Sequence, residues 1–483
     1  MKNNKLRHFS FLPFAGLAVI LFFLLLCGQA GKAAPDDGNP GGISAVSAGT
    51  VIQNTAADFA AGTFAGTAAG AKEPVIELAG PRGKFAAGVY TSSVIRLAPF
   101  DEMVVSWNAV TPPGTWIKVE AQVAAGEQWS EWFSWGEWST TTDTGSFLGN
   151  PKNSFADMDI DTLTLKSGKA TAVRYRLTLH SDNPQLTPAV RLVAVTARDS
   201  QQRENSPSSF RLDKNLAVPM YSQGLRDPRI SSRICSPTSL NMVLEYYGFY
   251  QTPEETAWGV MDYKGDLFGN WSFNTAYAGS LGLTSYVAFY NSLEDVKQEI
   301  ARGYPVIASV RYRNSVTVAK TYPILTNAPI SYTAGHIVVI RGFFYKDGKE
   351  YVLVNDPAAG NRPGVLREYL AEEFEEAWTK VAYVVHPGPA QPAAPRRIPA
   401  VLQAAGTVRQ KDGILFRGYR LTAGSSLIDL SPGNIRSMVL QLPDGQESFI
   451  APSADGMLWL NSRYEAGKYK LIIIANNHKI YET

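Results

Sequence analysis

The sequence predicts a multidomain chain: an α+β domain flanked by an N-terminal β-sandwich and a small C-terminal all-β module. Three observations carry this. The 483 residues are too many for one core, and a chain of this length has roughly two to four domains. Short apolar/polar alternations split by Gly, Pro and Asn fill residues 74–200 and 400–483, whereas 214–386 mixes helical periodicity with strands. Five prolines, Pro387, Pro389, Pro392, Pro395 and Pro399, mark a stiff linker over 387–399 between the last two regions. Apolar residues make up 45% and charged residues 18%, ordinary proportions for a globular protein. The net charge is +2 with no basic block, which removes support for nucleic-acid binding.

The elements follow in order. Lys2, Lys5 and Arg7 precede the apolar run Phe11–Leu26, and Gly28-Gln29-Ala30 supplies small residues for cleavage after Ala30. Residues 1–30 are therefore expected to be a signal peptide, and the mature chain to be secreted, with surface association an option. The run is short for a bilayer span, so the membrane enters only if this segment stays uncleaved. Residues 31–73, rich in Ala, Gly, Thr and Ser, are expected to be a flexible spacer.

Within 74–200, alternating stretches such as Met103–Trp107, Trp116–Val123, Val173–Leu179 and Ala189–Val195 predict the sandwich strands. Trp129, Trp132, Phe133, Trp135 and Trp138 crowd one of them. Strict alternation would put Trp129, Phe133 and Trp135 on one face and Trp132 and Trp138 on the other. One face must be core. The other could stack on sugar rings, which would suit cell-wall polysaccharide. Polar residues 201–213 read as a linker. Strands at Ser437–Leu442 and Tyr469–Ile474 define the C-terminal module, which offers no functional residue of its own.

Chemistry points to Cys235. Beyond residue 30 it is the lone cysteine, so it has no internal disulfide partner, and a nucleophile is the stronger reading of such a thiol. Pro237 suits the first helical position, Leu240, Val243, Leu244 and Tyr247 recur at helical spacing, and Gly248 supplies a stop. The thiol then sits at a helix N-terminus, where unpaired N–H groups and the dipole lower its pKa. Of the histidines beyond residue 30, His180 lies in the sandwich, His386 abuts the proline linker and His478 is near the C-terminus. His336 opens the strand-like run Gly335–Phe343. Asp347-Gly348 signals a hairpin, and folding about it returns Asp356 to the end where His336 begins, within reach to fix the imidazole tautomer. Asn355 is the alternative orienter. Gly335 leaves room for a substrate chain. Upstream, the Gln223 amide could pair with the Cys235 N–H to hold an oxyanion.

Tyr221-Ser222-Gln223, Cys235 with Pro237-Thr238-Ser239-Leu240, Gly335-His336 with Val338-Val339-Ile340, and Val354-Asn355-Asp356-Pro357 follow one another in this order. Over residues 214–386 this resembles the bacteriocin-processing (double-glycine) peptidase family and its secreted relatives, which are papain-like cysteine peptidases. The resemblance implies Cys235 as nucleophile, His336 as general base and then acid, Asp356 as orienter and Gln223 in the oxyanion hole, with a peptide or protein substrate and a thioester acyl-enzyme. The family usually has Gly after the cysteine, and Ser236 stands there instead, where a side chain could crowd the cleft or change the backbone angle. No cofactor is implied, and no metal motif is present. Two other readings stay open: a peptidoglycan amidase or transpeptidase on the same scaffold, and a non-catalytic cell-surface or cell-wall binder. Trp258, Trp271, Tyr277 and Tyr332 are candidate cleft aromatics.

Overall fold

The computed structural model describes residues 49–80, 86–202, 210–388, 397–461 and 469–483. The expected signal peptide and most of the expected spacer fall on residues 1–48, outside the described residues. Among the described residues no helix is long and apolar enough to cross a membrane. The chain is mostly β, with a separate N-terminal domain ahead of the α+β domain.

The N-terminal domain contains two antiparallel sheets of seven strands each. Alternation explains the second: along Ala170–Ser181, Tyr175, Leu177 and Leu179 are buried while Arg174, Arg176 and Thr178 are only partly covered. The first sheet differs. Glu102–Val110 is buried from Met103 to Ala109 on both faces, because the far face packs on the central domain. Trp107 meets Phe273 of that domain edge-on, centroids 6.0 Å apart.

Two expectations are corrected here. The spacer does not extend to residue 73. Thr50–Gln53 pairs with Ala189–Arg198, and Thr63–Ala65 with Ala87–Thr91, so these small and polar residues are edge strands. The aromatic strand does not keep strict alternation. A bulge between Ser134 and Gly136 shifts the register by one, which puts Trp138 opposite Ile117 and on the same side as Phe133. Phe133, Trp135 and Trp138 are all core. Trp129 and Trp132 remain half-buried, with the Arg174 guanidinium 4.6 Å from the Trp129 ring and that of Arg176 4.4 Å from Trp132. The rings proposed to stack on sugars already carry protein cations.

The central domain is built on a seven-stranded antiparallel sheet. Its order is Thr284–Phe289, Trp378–His386, Val306–Arg313, Tyr332–Lys346, Lys349–Asn355 and Leu366–Leu370, with Lys214–Asn215 added beside Tyr332–Lys346. The hairpin turns at Asp347 and Gly348, both with positive φ (51° and 76°), as a type I′ turn requires. The helix Cys235–Tyr246 lies against this sheet. Every residue from Ser236 to Leu244 is buried, so it is a central helix rather than the one-sided amphipathic helix its stripe suggests. It ends in a Schellman motif: Phe249 N–H donates to Leu244 O and Gly248 N–H to Glu245 O, with Gly248 at φ 87°.

Strand Thr284–Phe289 is the edge of that sheet, and its outward backbone groups are capped by side chains of the N-terminal domain. Asn108 accepts from Ser285 N–H (3.1 Å) and donates to Ser285 O (2.6 Å). Ser106 Oγ accepts from Val287 N–H, and Thr196 Oγ1 donates to Val287 O. An edge strand left bare would template aggregation. One hydrophobic core runs through both domains, while the C-terminal module has its own.

That module comprises a five-stranded and a four-stranded sheet. Most of the proline linker lies outside the described residues; its last three, Arg397–Pro399, form a strand parallel to Ile480–Glu482.

Candidate active site

Cys235 is the first residue of its helix. Pro237 is therefore third, not first, which costs nothing because the first four helical N–H groups have no intrahelical acceptor. The N-cap, Ile234, has no capping side chain; Pro237 has no N–H, and Thr238 N–H donates to Ile234 O (3.0 Å). The partly exposed thiol accepts from the backbone N–H groups of Ser236 and Ile337 and pairs with His336.

His336 is 4% exposed and lies near the start of strand Tyr332–Lys346. Its Nε2 is 2.8 Å from Asp356 Oδ1, which leaves Nδ1 for the sulfur. Asp356 is fully buried just past strand Lys349–Asn355. It also accepts from Ala358 N–H (3.0 Å) and from the Tyr369 hydroxyl (3.1 Å).

The electrostatics follow from burial set against pairing. Burial pushes the Cys235 thiol up, but the bond and charge of His336, with the two amides, outweigh it and hold it below its ordinary value. Burial would depress His336; the Asp356 carboxylate and then the thiolate hold it up at about 10. Burial would raise Asp356, and the imidazolium, Ala358 and Tyr369 keep it below the usual carboxylate range. Each partner thus favours the charged form of the other, and the pair is tuned toward thiolate beside imidazolium.

Of the four residues singled out in the sequence, three meet. Gln223 makes no hydrogen bond to the other three. It opens the 3-10 turn Gln223–Leu225, its Nε2 donates to Ser231 O at 2.8 Å, and its buried Oε1 has no protein partner. Asn355 is turned the other way: its amide holds Val218 O and Pro219 O, and its carbonyl accepts from Arg341. Successive strand residues point to opposite sides, so only one of Asn355 and Asp356 could reach His336. The crowding expected of Ser236 does not arise from its hydroxyl, which is buried 2.9 Å from the Tyr383 hydroxyl. Gly335 leaves open space around its Cα.

The other histidines are engaged elsewhere. His180 stacks on Trp116, His386 pairs with Glu299 and His478 with Asp143. Of the candidate cleft aromatics, Trp271 lines the cleft. Trp258 bonds Ser437, Tyr277 bonds Gln251, and Tyr332 lies under Lys320. No group of three metal-ligating side chains occurs among the described residues.

Tyr369 escaped the sequence reading, because nothing in Leu366–Leu370 marks it apart from a buried strand aromatic. Tyr369→Phe removes one hydrogen bond to a carboxylate, worth roughly 1.5–3 kcal/mol, a factor of ten or more. If Asp356 orients His336, kcat falls by about that factor with KM little changed. A fall in thermal stability alone, with kcat intact, would reduce Tyr369 to packing.

Such a Cys–His–Asp arrangement at a helix N-terminus is the pattern of a cysteine peptidase, and the comparisons with known proteins agree on that class. Residues 215–386 match the model of the Peptidase_C39 like family, and this part of the chain is a relative of that family. Residues 50–198 match the model of the Peptidase C39 N-terminal domain. Among solved structures, the peptidase domain of Streptococcus ComA, a bi-functional ABC transporter involved in a quorum-sensing pathway, is 16% identical. That match covers 35% of this chain and 98% of the other, with a TM-score of 0.25. A putative C39-like peptidase from Bacillus anthracis is 19% identical over 36% of this chain and 98% of its own, with a TM-score of 0.26. It is the sequence match, not these superpositions, that makes residues 215–386 a relative of the family. No curated protein matches the chain.

Proposed function

We propose that the protein is an exported cysteine peptidase that hydrolyses peptide bonds through Cys235, His336 and Asp356. The observation that carries this is the thiol paired to His336, whose far nitrogen is 2.8 Å from a buried carboxylate. Export rests on the basic and apolar character of residues 1–30.

In the mechanism, the Cys235 thiolate attacks the scissile carbonyl carbon, and the carbonyl π electrons move onto oxygen. The oxyanion is met by the Cys235 N–H, with the second hydrogen of Gln223 Nε2 as the further donor, the first being committed to Ser231. As the intermediate collapses, the His336 imidazolium gives its proton to the leaving amine and a thioester forms. Neutral His336 then takes a proton from water, whose oxygen attacks the thioester and releases the acid and the thiolate, restoring the ion pair. Asp356 stays ionised throughout and holds the ring.

The test is alkylation of the chain from residue 31 onward, in which Cys235 is the only thiol. The rate of iodoacetamide reaction is expected to inflect well below about 8.5, and alkylation to abolish cleavage of unfolded casein. An inflection at or above that value would make Cys235 a buried structural thiol and end the reading.

A further inference from the structure

Cys235 and His336 open onto a cleft of ≈ 1010 Å³. One wall is the central domain, with Trp271, Gly335 and Trp378. A second wall comes from the N-terminal domain: Leu97, Ala98 and Pro99 of strand Ile95–Phe100, with Asp159 and the segment Ala197–Ser200.

This second wall is fixed in place. Arg198 donates to Thr379 O (2.9 Å) across the boundary, and its guanidinium lies 4.3 Å from the Phe289 ring centroid. Asp161, buried two residues from Asp159, accepts from Trp271 N–H at 2.5 Å at the start of helix Trp271–Ser280. The edge strand Thr284–Phe289 is capped by Ser106, Asn108 and Thr196 as described above. Cys235 and this N-terminal surface therefore line the same cleft, and hydrogen bonds between the domains hold the two surfaces in fixed relation.

We propose that the substrate site is composite: an extended polypeptide binds between the domains, and the N-terminal wall at Ala98 and Asp159 sets which segments reach Cys235. This rests on the peptidase reading for its substrate and goes beyond it in giving the N-terminal domain a part in specificity. The cleft lies at the upper end of the roughly 300–1,000 Å³ of small-ligand pockets, and its lining comes from both domains, as an extended chain would need. Ala98 and Asp159 are exposed, so enlarging either leaves the core untouched.

The test uses the full chain carrying Ala98→Trp or Asp159→Trp. Three rates are compared with wild type: alkylation of Cys235 by iodoacetamide, alkylation by the bulkier fluorescein-5-maleimide, and casein cleavage with its cut sites mapped by mass spectrometry. Expected are an unchanged iodoacetamide rate, an about tenfold slower maleimide reaction, and an about tenfold lower kcat/KM with altered cut sites. Unchanged maleimide and casein rates in both variants, with the same cut sites, would overturn the composite site. If wild type leaves casein intact, the peptidase reading fails by itself, and the two alkylation rates still decide whether the N-terminal wall gates access to Cys235.

Discussion

Replacing His336 with Ala is expected to cut hydrolysis by about 10⁴-fold, near the upper end for loss of a general acid–base. Two effects combine in it. The substitution removes the proton carrier, and it also removes the group that keeps the sulfur ionised. Burial acts on the Cys235 thiol in the upward direction, and His336 is the largest opposing influence. With the imidazolium gone, the two amides of Ser236 and Ile337 are the remaining opposition, and the alkylation inflection is expected to climb from well below about 8.5 to above it.

The wild-type pH profile follows from the same pair. The reactive form exists between the depressed thiol and the elevated imidazole, so activity rises as pH passes the first and falls as it passes the second, near 10. Cys235→Ala serves as the companion variant. It removes hydrolysis altogether, and its partly exposed position predicts an intact fold. A His336→Ala protein that keeps a low inflection would mean that the helix N-terminus alone ionises the thiol, and His336 would lose its place in the mechanism.

The site was legible where local rules decide it. A lone cysteine before a helical stripe, a Gly-His strand and an Asp-Gly turn each have a short-range signature, and the type I′ hairpin brings Asp356 to His336. Gly248 likewise announces its Schellman motif. What stayed hidden depends on partners far along the chain. Asn355 and Asp356 are adjacent, and the turn alone cannot say which faces the ring; the register of Asn355 opposite Val339 does. Ser236 meets Tyr383, 147 positions on, so the direction its hydroxyl takes had no local mark. The bulge at Ser134–Gly136 inverted the expected face of Trp138. Strand Glu102–Val110 looked like a half-buried sandwich strand, but docking on the central domain covers its second face as well. The N-terminal wall of the cleft is a consequence of that docking and has no sequence signature.

Arg226→Met is expected to destabilise the protein by about 3–5 kcal/mol, because it strands a buried carboxylate. Arg226, 8% exposed, leads from Gln223 toward Cys235 in a stretch whose polar character gave no hint of its path. Its guanidinium bonds Glu254 (2.6 Å) at the start of helix Pro253–Val260 and Glu447 (2.5 Å) of the C-terminal module. Glu254 is 1% exposed, so without Arg226 it keeps the Asp227 N–H and its helix N-terminus but loses its counter-charge. Next to it, Asp227 accepts from Ser437 Oγ (2.7 Å) and Arg229 donates to Arg436 O, so the module grips this loop at several points. The same loop carries Ser231, whose carbonyl holds the Gln223 amide. Loosening it should therefore lower kcat as well as stability. Chemical denaturation measures the first effect and casein turnover the second. The double variant Arg226→Met with Glu254→Met removes both buried charges and is expected to recover more than half of the lost stability, as paired replacements of buried ions commonly do. A single variant that costs less than about 1 kcal/mol, the value of an exposed pair, would mean that water already reaches Glu254 and that the C-terminal module does not set the loop.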